Sequence, residues 1–478
     1  MARIAGKIDS KGCMRKLFGT DGIRGLAGDY PLDQDTVFAI GQALGHHLGK
    51  VGGQLRVLLG QDTRESGAWI ADTLAAGLAS ASVMVESAGV VTTPAIAYLA
   101  HTRGYSAGVV ISASHNPWTD NGIKVFGGNG YKLADRIELD IEAEIFTSIA
   151  RNGSSGANGS ASSGPGGELA APGNGMSSLP GDPALRAAYE EWLAGIVSGV
   201  DLSKLKVVVD CANGAASEVA VEVMKACGVQ AEYIHRWPNG KNINDHCGAL
   251  YPEMVAAEVV TRHADLGISF DGDADRALFA DARGKVVNGD AVLLLAGQEM
   301  AGRNALPGGT VVATTMSNMG LESAFRRLGI KMLRAPVGDK YVLEEMQKNG
   351  AALGGEQSGH IIFSGLATTG DGLLTALKVM EIVARSGQPI HELLSDFHVF
   401  PQVIKNVRVK EKRPLEQIFA VAATIQAAQD DLKDQGRVVV RYSGTEALCR
   451  VMIEASSQEK TQHWADEISS VIQKDLGA

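Results

Sequence analysis

Short runs of apolar residues alternate with stretches of helical periodicity through most of this chain. Runs rich in Val, Leu and Ile, as expected of strands covered on both faces, occur at 55–60, 107–112, 205–210 and 311–315. Helical patterns lie between them, among them 35–50, 67–80, 252–264 and 371–386. This alternation predicts α/β domains in which helices pack on mixed sheets.

The rhythm of strands and helices restarts near residues 17, 184 and 291, and it changes near residue 400. Beyond that point the pattern predicts antiparallel strands at 403–409, 437–442 and 448–454, with helices near 414–430 and 458–474. We therefore predict three similar mixed α/β domains and a smaller C-terminal α+β domain, with bounds at 14–151, 183–290, 291–398 and 399–478.

Two segments are left out of these domains. Residues 152–182 consist mainly of Gly, Ser, Asn, Ala and Pro, and such a segment buries too little apolar surface to offset the entropy of ordering it. We predict a disordered insertion there; a loop that binds a partner is the alternative. Residues 1–13 precede Met14 and are predicted to be an N-terminal extension, with the native start at Met1 or Met14 left open.

Composition excludes several classes of protein. Of the 478 residues, 45% are hydrophobic and 21% are charged, as in soluble globular proteins. A formal net charge of -10 argues against nucleic acid or an anionic membrane as the main partner. The five cysteines are scattered without Cys-x-x-Cys spacing, which favours reduced thiols in the cytoplasm over a disulfide framework or a zinc site. The sequence has neither a transmembrane-length apolar stretch nor an export signal.

Residues 111–117 (ISASHNP) follow a predicted strand. Ser, His and Asn at the carboxyl end of a strand suit a nucleophile that faces the ligand crevice of an open sheet. A serine there can carry a phosphoryl group if a cation and backbone amides neutralise it. On this motif alone, a polar loop that only caps the next segment is equally acceptable.

Residues 269–276 (SFDGDADR) also follow an apolar run, and Asp271, Asp273 and Asp275 alternate within them. Three converging carboxylates repel one another unless a divalent cation compensates, and oxygen ligands suit Mg²⁺. A calcium loop would require Gly in place of Arg276 and Glu in place of Ala282, so it is excluded. A solvated acidic turn is the other alternative.

Three further motifs are weaker. Residues 441–446 (RYSGTE), with Arg450 beyond them, supply forked guanidinium donors and hydroxyl donors that can bind a phosphate dianion. An ordinary hairpin turn, however, has the same residues. Residues 354–360 (GGEQSGH) present a Glu and a Ser that can bind sugar hydroxyls, or form a structural turn. Arg24 and Lys124 are either surface cations or groups that stabilise charge in a cleft. The chain has no Walker A sequence.

In this order the motifs resemble those of the α-D-phosphohexomutase superfamily, from about Lys16 to the C-terminus without residues 152–182. FGTDGIRG at 18–25, NINDHCG at 242–248, RAPVGDKYV at 334–342 and Gln357 are most similar to the branch that acts on glucosamine phosphates. Three changes depart from the usual pattern: Ala274 in place of Gly, Ala447 in place of Pro, and Tyr442.

The resemblance implies four domains around a central cleft and a role for each motif. Ser114 would be the phosphoserine, with Arg24 and Lys124 acting at the reaction centre and the catalytic residue His115 supporting the phosphoserine loop. A phosphate oxygen on Ser114 and the carboxylates of Asp271, Asp273 and Asp275 would hold one Mg²⁺. Contacts to the substrate would come from Arg276, Glu356, Ser358, Arg441, Ser443, Gly444, Thr445 and Arg450.

The implied reaction interconverts glucosamine 6-phosphate and glucosamine 1-phosphate through a 1,6-bisphosphate. A glucosamine or glucose 1,6-bisphosphate would prime the enzyme, which would serve the synthesis of UDP-N-acetylglucosamine and peptidoglycan precursors in the cytoplasm. The resemblance leaves a homodimer open. The alternatives are the same mechanism on mannose or glucose phosphates, an aspartyl-phosphate phosphatase that uses Asp271, and an inactive phosphosugar-binding regulator.

Overall fold

The structure is a computed structural model that describes residues 7–8, 14–15, 17–50, 55–155, 178–443 and 447–477. A two-stranded antiparallel ribbon, β1 (Lys7–Ile8) and β2 (Met14–Arg15), lies at the N-terminal end. The described residues contain no helix that is both long and apolar enough to cross a membrane.

The first domain is a mixed six-stranded sheet with four helices. Its elements are β3 (Phe18–Gly19), β4 (Gly22–Leu26), α1 (Gln34–Gly49), β5 (Arg56–Gln61), α2 (Gly67–Ser80), β6 (Met84–Val90), α3 (Thr93–Thr102), β7 (Ala107–Ile111), β8 (Asp120–Gly127) and α4 (Asp135–Ser155). The strand order is β3-β4-β8-β7-β5-β6. Strands β6, β5 and β7 are parallel, whereas β8, β4 and β3 continue the sheet in antiparallel pairs.

The second domain repeats this plan with five strands. Its elements are α5 (Pro183–Ile196), β9 (Lys206–Asp210), α6 (Ala216–Ala226), β10 (Gln230–Ile234), α7 (Pro252–Arg262), β11 (Leu266–Phe270), β12 (Ala277–Asp281) and β13 (Val286–Val287). The order is β10-β9-β11-β12-β13, with the first three strands parallel and the last two antiparallel.

The third domain has four strands and the fourth has three. The third contains α8 (Gly289–Gly302), β14 (Thr310–Thr314), α9 (Met319–Arg327), β15 (Lys331–Ala335), α10 (Asp339–Asn349), β16 (Leu353–Gly355), β17 (Ile361–Phe363), α11 (Gly372–Ser386) and α12 (Ile390–Leu393), in the order β15-β14-β16-β17. The fourth contains β18 (Gln402–Arg408), α13 (Phe419–Leu432), β19 (Gly436–Tyr442), β20 (Leu448–Ala455) and α14 (Gln458–Leu476), in the antiparallel order β18-β20-β19.

Packing joins the first three domains and leaves the fourth with its own core. One buried cluster includes Ile96 of the first domain, Phe270 of the second and Leu374 of the third. The fourth domain has a separate cluster around Val451 and Ile468. Because burial of apolar surface is the main stabilising term, the first three domains are held as one body, and the fourth is attached through fewer contacts.

Those contacts are mainly polar. Glu454 accepts a hydrogen bond of 2.7 Å from the Met319 N–H, and Asn318 exchanges two hydrogen bonds with the backbone of Phe400. Arg437 donates to the carbonyl of Thr315 at 2.6 Å. A polar junction of this kind orients the fourth domain relative to the third without a shared apolar core.

The predicted fold class is confirmed, and the bounds of the predicted strands and helices lie within five residues of the observed ones. The domain bounds stay predictions. Helix α4 extends into the first residues of the predicted insertion 152–182, and residues 178–182 lead into α5; residues 156–177 lie outside the described part of the chain, as does most of the predicted extension 1–13.

Candidate active site

Ser114 lies in the turn after β7 and is 1% exposed. Its backbone is left-handed, with φ 52, a conformation that a non-glycine residue keeps only where its surroundings fix it. The Ser114 N–H donates to Ser112 Oγ at 2.9 Å, and that hydroxyl donates to Asp62 Oδ2 at 2.6 Å. Ser114 Oγ donates to Asp271 Oδ2 at 2.5 Å and lies 3.3 Å from His115 Nδ1.

Arg64 and Asn244 hold the backbone of this turn. The buried Arg64 guanidinium pairs with Asp62 at 2.9 Å and donates to the carbonyls of Ser114 at 2.9 Å and Asn116 at 2.8 Å. It also donates to the carbonyls of Pro117 and Asp120. From the second domain, Asn244 Nδ2 donates to the same carbonyls of Ser114 and Asn116, at 2.8 and 3.1 Å. The turn is therefore fixed from both domains.

The three aspartates follow β11 and converge as predicted. One carboxylate oxygen from each of Asp271, Asp273 and Asp275 lies within 4.8 Å of the others, and all three residues are buried. Burial, then the charges of Asp275 and Asp273, raise the pKa of Asp271 well above its ordinary value. The Oδ1 atoms of Asp273 and Asp275 have no hydrogen-bond partner among the described residues. Buried oxygens without partners, in an oxygen-only set, fit Mg²⁺.

Lys124 on β8 supplies positive charge beside this cluster and is 1% exposed. Its Nζ lies 2.7 Å from Asp273 Oδ2, 3.0 Å from Asp21 Oδ2 and 3.3 Å from Asp275 Oδ2. Burial opposes the ammonium charge, but these three carboxylates raise the pKa of Lys124 well above its ordinary value. The side chain is therefore a fixed cation at the centre of the site.

Arg24, His115 and Arg276 face a cavity of about 510 Å³ that also reaches Asp275. Arg24 on β4 pairs with Asp21 and donates to the carbonyl of Ala113 at 3.2 Å. Burial, then the positive charges of Arg276 and Arg24, lower the pKa of His115 to about 4, which leaves the imidazole neutral at pH 7.

The third domain closes the other side of the cavity. Glu356 lines it and accepts a hydrogen bond of 2.9 Å from the Gly338 N–H, and Asp339 and His360 line it beside Glu356. His360 lies between two carboxylates, 3.7 Å from Asp275 and 3.7 Å from Asp339. Ser358, on the same loop, is half-buried and is not among the cavity's lining residues.

The predicted phosphate-binding residues of the fourth domain lie apart from this cavity. Arg441 and Arg450 are exposed and directly opposite each other on β19 and β20, and Ser443 is buried at the end of β19. None of these three lines the cavity. Gly444 and Thr445 lie outside the described residues.

Ala274, one of the departures noted in the sequence, has a φ of 55 and is fully buried. This left-handed conformation is one that glycine adopts without steric cost, whereas for alanine it costs about 1–3 kcal/mol. Its N–H donates to the Asp271 carbonyl and its carbonyl accepts from Gly372 N–H, both at 3.0 Å. The metal loop therefore keeps its turn with an alanine at this position.

Several residues that build the site were not singled out from the sequence: Asp21, Arg64, Asn244, Asp339 and His360. Four of them lie inside the motifs quoted above, so the motifs indicated these segments without distinguishing the individual residues. Arg64 lies in none of the motifs. Its four carbonyl partners are more than 49 residues away along the chain, so no local pattern indicates its role.

Comparison with known proteins agrees with this architecture across the whole chain. Four domains described as phosphoglucomutase/phosphomannomutase match in order: alpha/beta/alpha domain I at residues 15–152, domain II at 190–284, domain III at 288–400 and the C-terminal domain at 404–471. The fold and the site thus define a phosphosugar mutase of the phosphohexomutase class.

Curated relatives narrow this class of mutases to one family. The chain is 58% identical over 467 residues to the phosphoglucosamine mutase of Koribacter versatilis, covering 97% of this chain and 98% of that protein. It is 48% identical to that of Solibacter usitatus, covering 97% and 99%. The chain belongs to the phosphoglucosamine mutase family.

Solved structures share the fold. A phosphoglucomutase/phosphomannomutase family protein from Burkholderia thailandensis has a TM-score of 0.74 at 24% identity, covering 96% of this chain and 98% of that one. N-acetylphosphoglucosamine mutase from Aspergillus fumigatus, in complex with GlcNAc-6P and magnesium, has a TM-score of 0.63 at 19% identity, covering 96% and 95%.

Proposed function

We propose that this chain interconverts glucosamine 6-phosphate and glucosamine 1-phosphate by way of a phosphoserine at position 114. The observation that carries the proposal is the contact between Ser114 Oγ and Asp271 Oδ2, which joins the nucleophile to a buried acidic triad beside the cavity. The amino sugar as substrate is supported by relatives at 58% and 48% identity that are phosphoglucosamine mutases.

One Mg²⁺ would be held by Asp271, Asp273, Asp275 and a phosphate oxygen on Ser114. When bound, the ion neutralises charge on the phosphoryl group. The oxygen-only donor set and the two carboxylate oxygens without partners support this assignment. A magnesium complex of the structurally similar Aspergillus fumigatus enzyme agrees with it.

In the first half-reaction, the free hydroxyl oxygen of the sugar phosphate bonds to phosphorus while the bond from phosphorus to Ser114 Oγ breaks. The hydroxyl proton ends on Ser114 Oγ, and the sugar leaves this step as a 1,6-bisphosphate. His115 is placed to carry the proton, since its Nδ1 lies 3.3 Å from Ser114 Oγ and its side chain lines the cavity. Lys124 and Arg24 provide fixed positive charge for the transferring group.

In the second half-reaction, the bisphosphate turns around in the cavity and returns its other phosphoryl group to Ser114. Glu356 and Ser358 would bind sugar hydroxyls, and Arg276 would contact phosphate. The non-reacting phosphate would be held by Arg441, Ser443, Gly444, Thr445 and Arg450. The described members of this last set do not line the cavity, so we infer that the fourth domain rotates toward it when substrate binds, which its separate core permits. Added glucosamine or glucose 1,6-bisphosphate would prime the serine.

This activity would supply the synthesis of UDP-N-acetylglucosamine and peptidoglycan precursors in the cytoplasm. Whether the protein acts as a homodimer is left open. The test is a coupled assay with Mg²⁺ and a trace of hexose 1,6-bisphosphate. It compares glucosamine 6-phosphate with mannose 6-phosphate and glucose 6-phosphate. The proposal requires a strong preference in kcat/KM for the amino sugar. Equal or faster turnover of the neutral sugars would assign the chain to the alternative substrates with the same mechanism.

A further inference from the structure

A second cluster of ligating side chains lies behind the phosphoserine turn, in the second domain. Asp210 ends β9, His235 follows β10, and Cys247 ends the loop 242–247. One ligand atom from each of the three lies within 4.8 Å of the others. Asp210 and Cys247 are fully buried, and the side chain of His235 is 30% exposed.

The geometry of this cluster suits a metal ion. His235 Nδ1 lies 3.1 Å from Asp210 Oδ1, close to the separation of about 3.3 Å that two ligands have in a tetrahedral site with bonds of about 2.0–2.1 Å. This nitrogen is buried and forms an ion pair with that carboxylate, which a metal ion bound between the two atoms would replace. The thiol of Cys247 is contacted by Asn213 Nδ2 at a long 3.9 Å.

The backbone orients these ligands. Asp210 Oδ1 accepts from the Ala212 N–H and Oδ2 from the Gly248 N–H, each at 2.9 Å. Such outer hydrogen bonds hold a metal-binding carboxylate in one direction. The cluster is therefore preorganised on the carboxyl ends of two parallel strands.

The donor set selects the class of ion. One sulfur, one nitrogen and one oxygen suit a borderline divalent ion such as Zn²⁺, whereas Mg²⁺ prefers oxygen ligands. On binding, the S–H bond of Cys247 breaks, the sulfur bonds to the metal, and the proton passes to solvent. The negative charges of the thiolate and of Asp210 then balance the divalent cation.

We propose that Asp210, His235 and Cys247 bind a Zn²⁺-class transition metal, with a fourth position open to solvent on the side of His235. No sequence motif indicates this site, because the three ligands come from separate segments rather than from a spaced Cys/His motif. Bound metal would tie the loop 242–247 to the ends of β9 and β10. The same loop carries Asn244, which donates to the carbonyls of Ser114 and Asn116. Occupancy would therefore stiffen the support of the phosphoserine turn.

Titration of the full-length protein with Co²⁺, under saturating Mg²⁺, tests the proposal by optical absorption. A thiolate bound to Co²⁺ gives a charge-transfer band in the near ultraviolet, and the oxygen ligands of the aspartate triad give none. We expect the band to saturate at one equivalent and to be displaced by Zn²⁺. It should be lost in Cys247→Ser and retained in Cys227→Ser, the matched control at a half-buried cysteine.

Two results would overturn the proposal: no thiolate band at saturating Co²⁺, or a band that persists in Cys247→Ser. Cys247 is buried, so His235→Gln, at a partly exposed ligand, provides a second test that does not depend on the folding of Cys247→Ser. It should weaken Co²⁺ binding by at least about tenfold while the metal-free protein keeps the circular dichroism spectrum of the wild type. Unchanged Co²⁺ affinity in this variant would equally overturn the proposal.

Discussion

Ser114 Oγ donates a hydrogen bond of 2.5 Å to Asp271 Oδ2, a residue 157 positions further along the chain. The two residues lie just beyond the carboxyl ends of β7 and β11, strands of different domains. Ligand sites of open α/β sheets form at such edges. The contact therefore places the candidate phosphoryl carrier directly against the candidate metal site.

Replacement of Ser114 tests the carrier role. We expect Ser114→Ala to lower kcat by about 10³-fold or more, because the variant lacks the hydroxyl oxygen that would carry the phosphoryl group. The melting temperature should stay within a few degrees of the wild type. Ser106→Ala, at the opposite end of β7, is the matched control and should retain full activity. Substantial mutase turnover by Ser114→Ala would remove this residue from the mechanism.

Replacement of Asp273 tests the metal site. Asp273→Asn removes one negative charge from the triad, and we expect the Mg²⁺ concentration for half-maximal activity to rise at least about tenfold. Isothermal titration calorimetry should show the same loss of Mg²⁺ affinity without substrate. Asp265→Asn, an exposed position just before β11, serves as the control. Identical Mg²⁺ titrations for the wild type and Asp273→Asn would place the metal elsewhere.

Arg64 is expected to act as a positioning residue. Lysine cannot replace its five donors, so Arg64→Lys removes several charge-assisted hydrogen bonds to the phosphoserine turn and should cost about 2–4 kcal/mol of stability. We also expect kcat to fall about tenfold or more with little change in KM, since this buried side chain does not line the cavity. Arg56→Lys, at a half-exposed ion pair with Glu86, should change neither property much. A loss of stability with an unchanged kcat would reduce Arg64 to a purely structural role.

The buried pair of Asp371 and Tyr189 gives a pH prediction. Tyr189 donates to Asp371 Oδ2 at 2.7 Å, and burial raises the pKa of Asp371 from 3.8 to about 6. The contribution of protonated Asp371 to the free energy of unfolding is fully present below pH 3.8 and is lost as the pH rises through about 6.

Asparagine mimics the protonated carboxyl and keeps the acceptor for the Leu374 N–H at the start of α11. We therefore expect Asp371→Asn to stabilise the protein by up to about 3 kcal/mol near neutral pH. The gain should disappear near pH 4. Melting temperatures across this range provide the measurement, and a gain that does not depend on pH would contradict the assigned pKa.

The sequence predicted the parts of the molecule that depend on local patterns. Continuous apolar runs predicted the central strands, and the polar residues directly after two of them predicted Ser114 and the aspartate triad. Each of these features lies within one short segment, so periodicity and side-chain chemistry sufficed to find it.

Features that depend on contacts between distant segments were not predicted. Arg64 and Asn244 converge on one turn from different domains, and no spacing along the chain indicates that they meet. The cluster of Asp210, His235 and Cys247 was missed for the same reason. The position of Arg441 outside the cavity depends on how the fourth domain is oriented, and local patterns do not encode that orientation.

The most direct test of the central claim is to locate the phosphoryl group on the protein. The full-length chain is incubated with Mg²⁺ and glucose 1,6-bisphosphate, digested and mapped by mass spectrometry, before and after addition of glucosamine 1-phosphate. The account predicts one phosphoryl group on Ser114, absent from Ser114→Ala and exchangeable with the added sugar phosphate. Phosphate on Asp271, or a phosphate on Ser114 that never exchanges with the sugar, would contradict it.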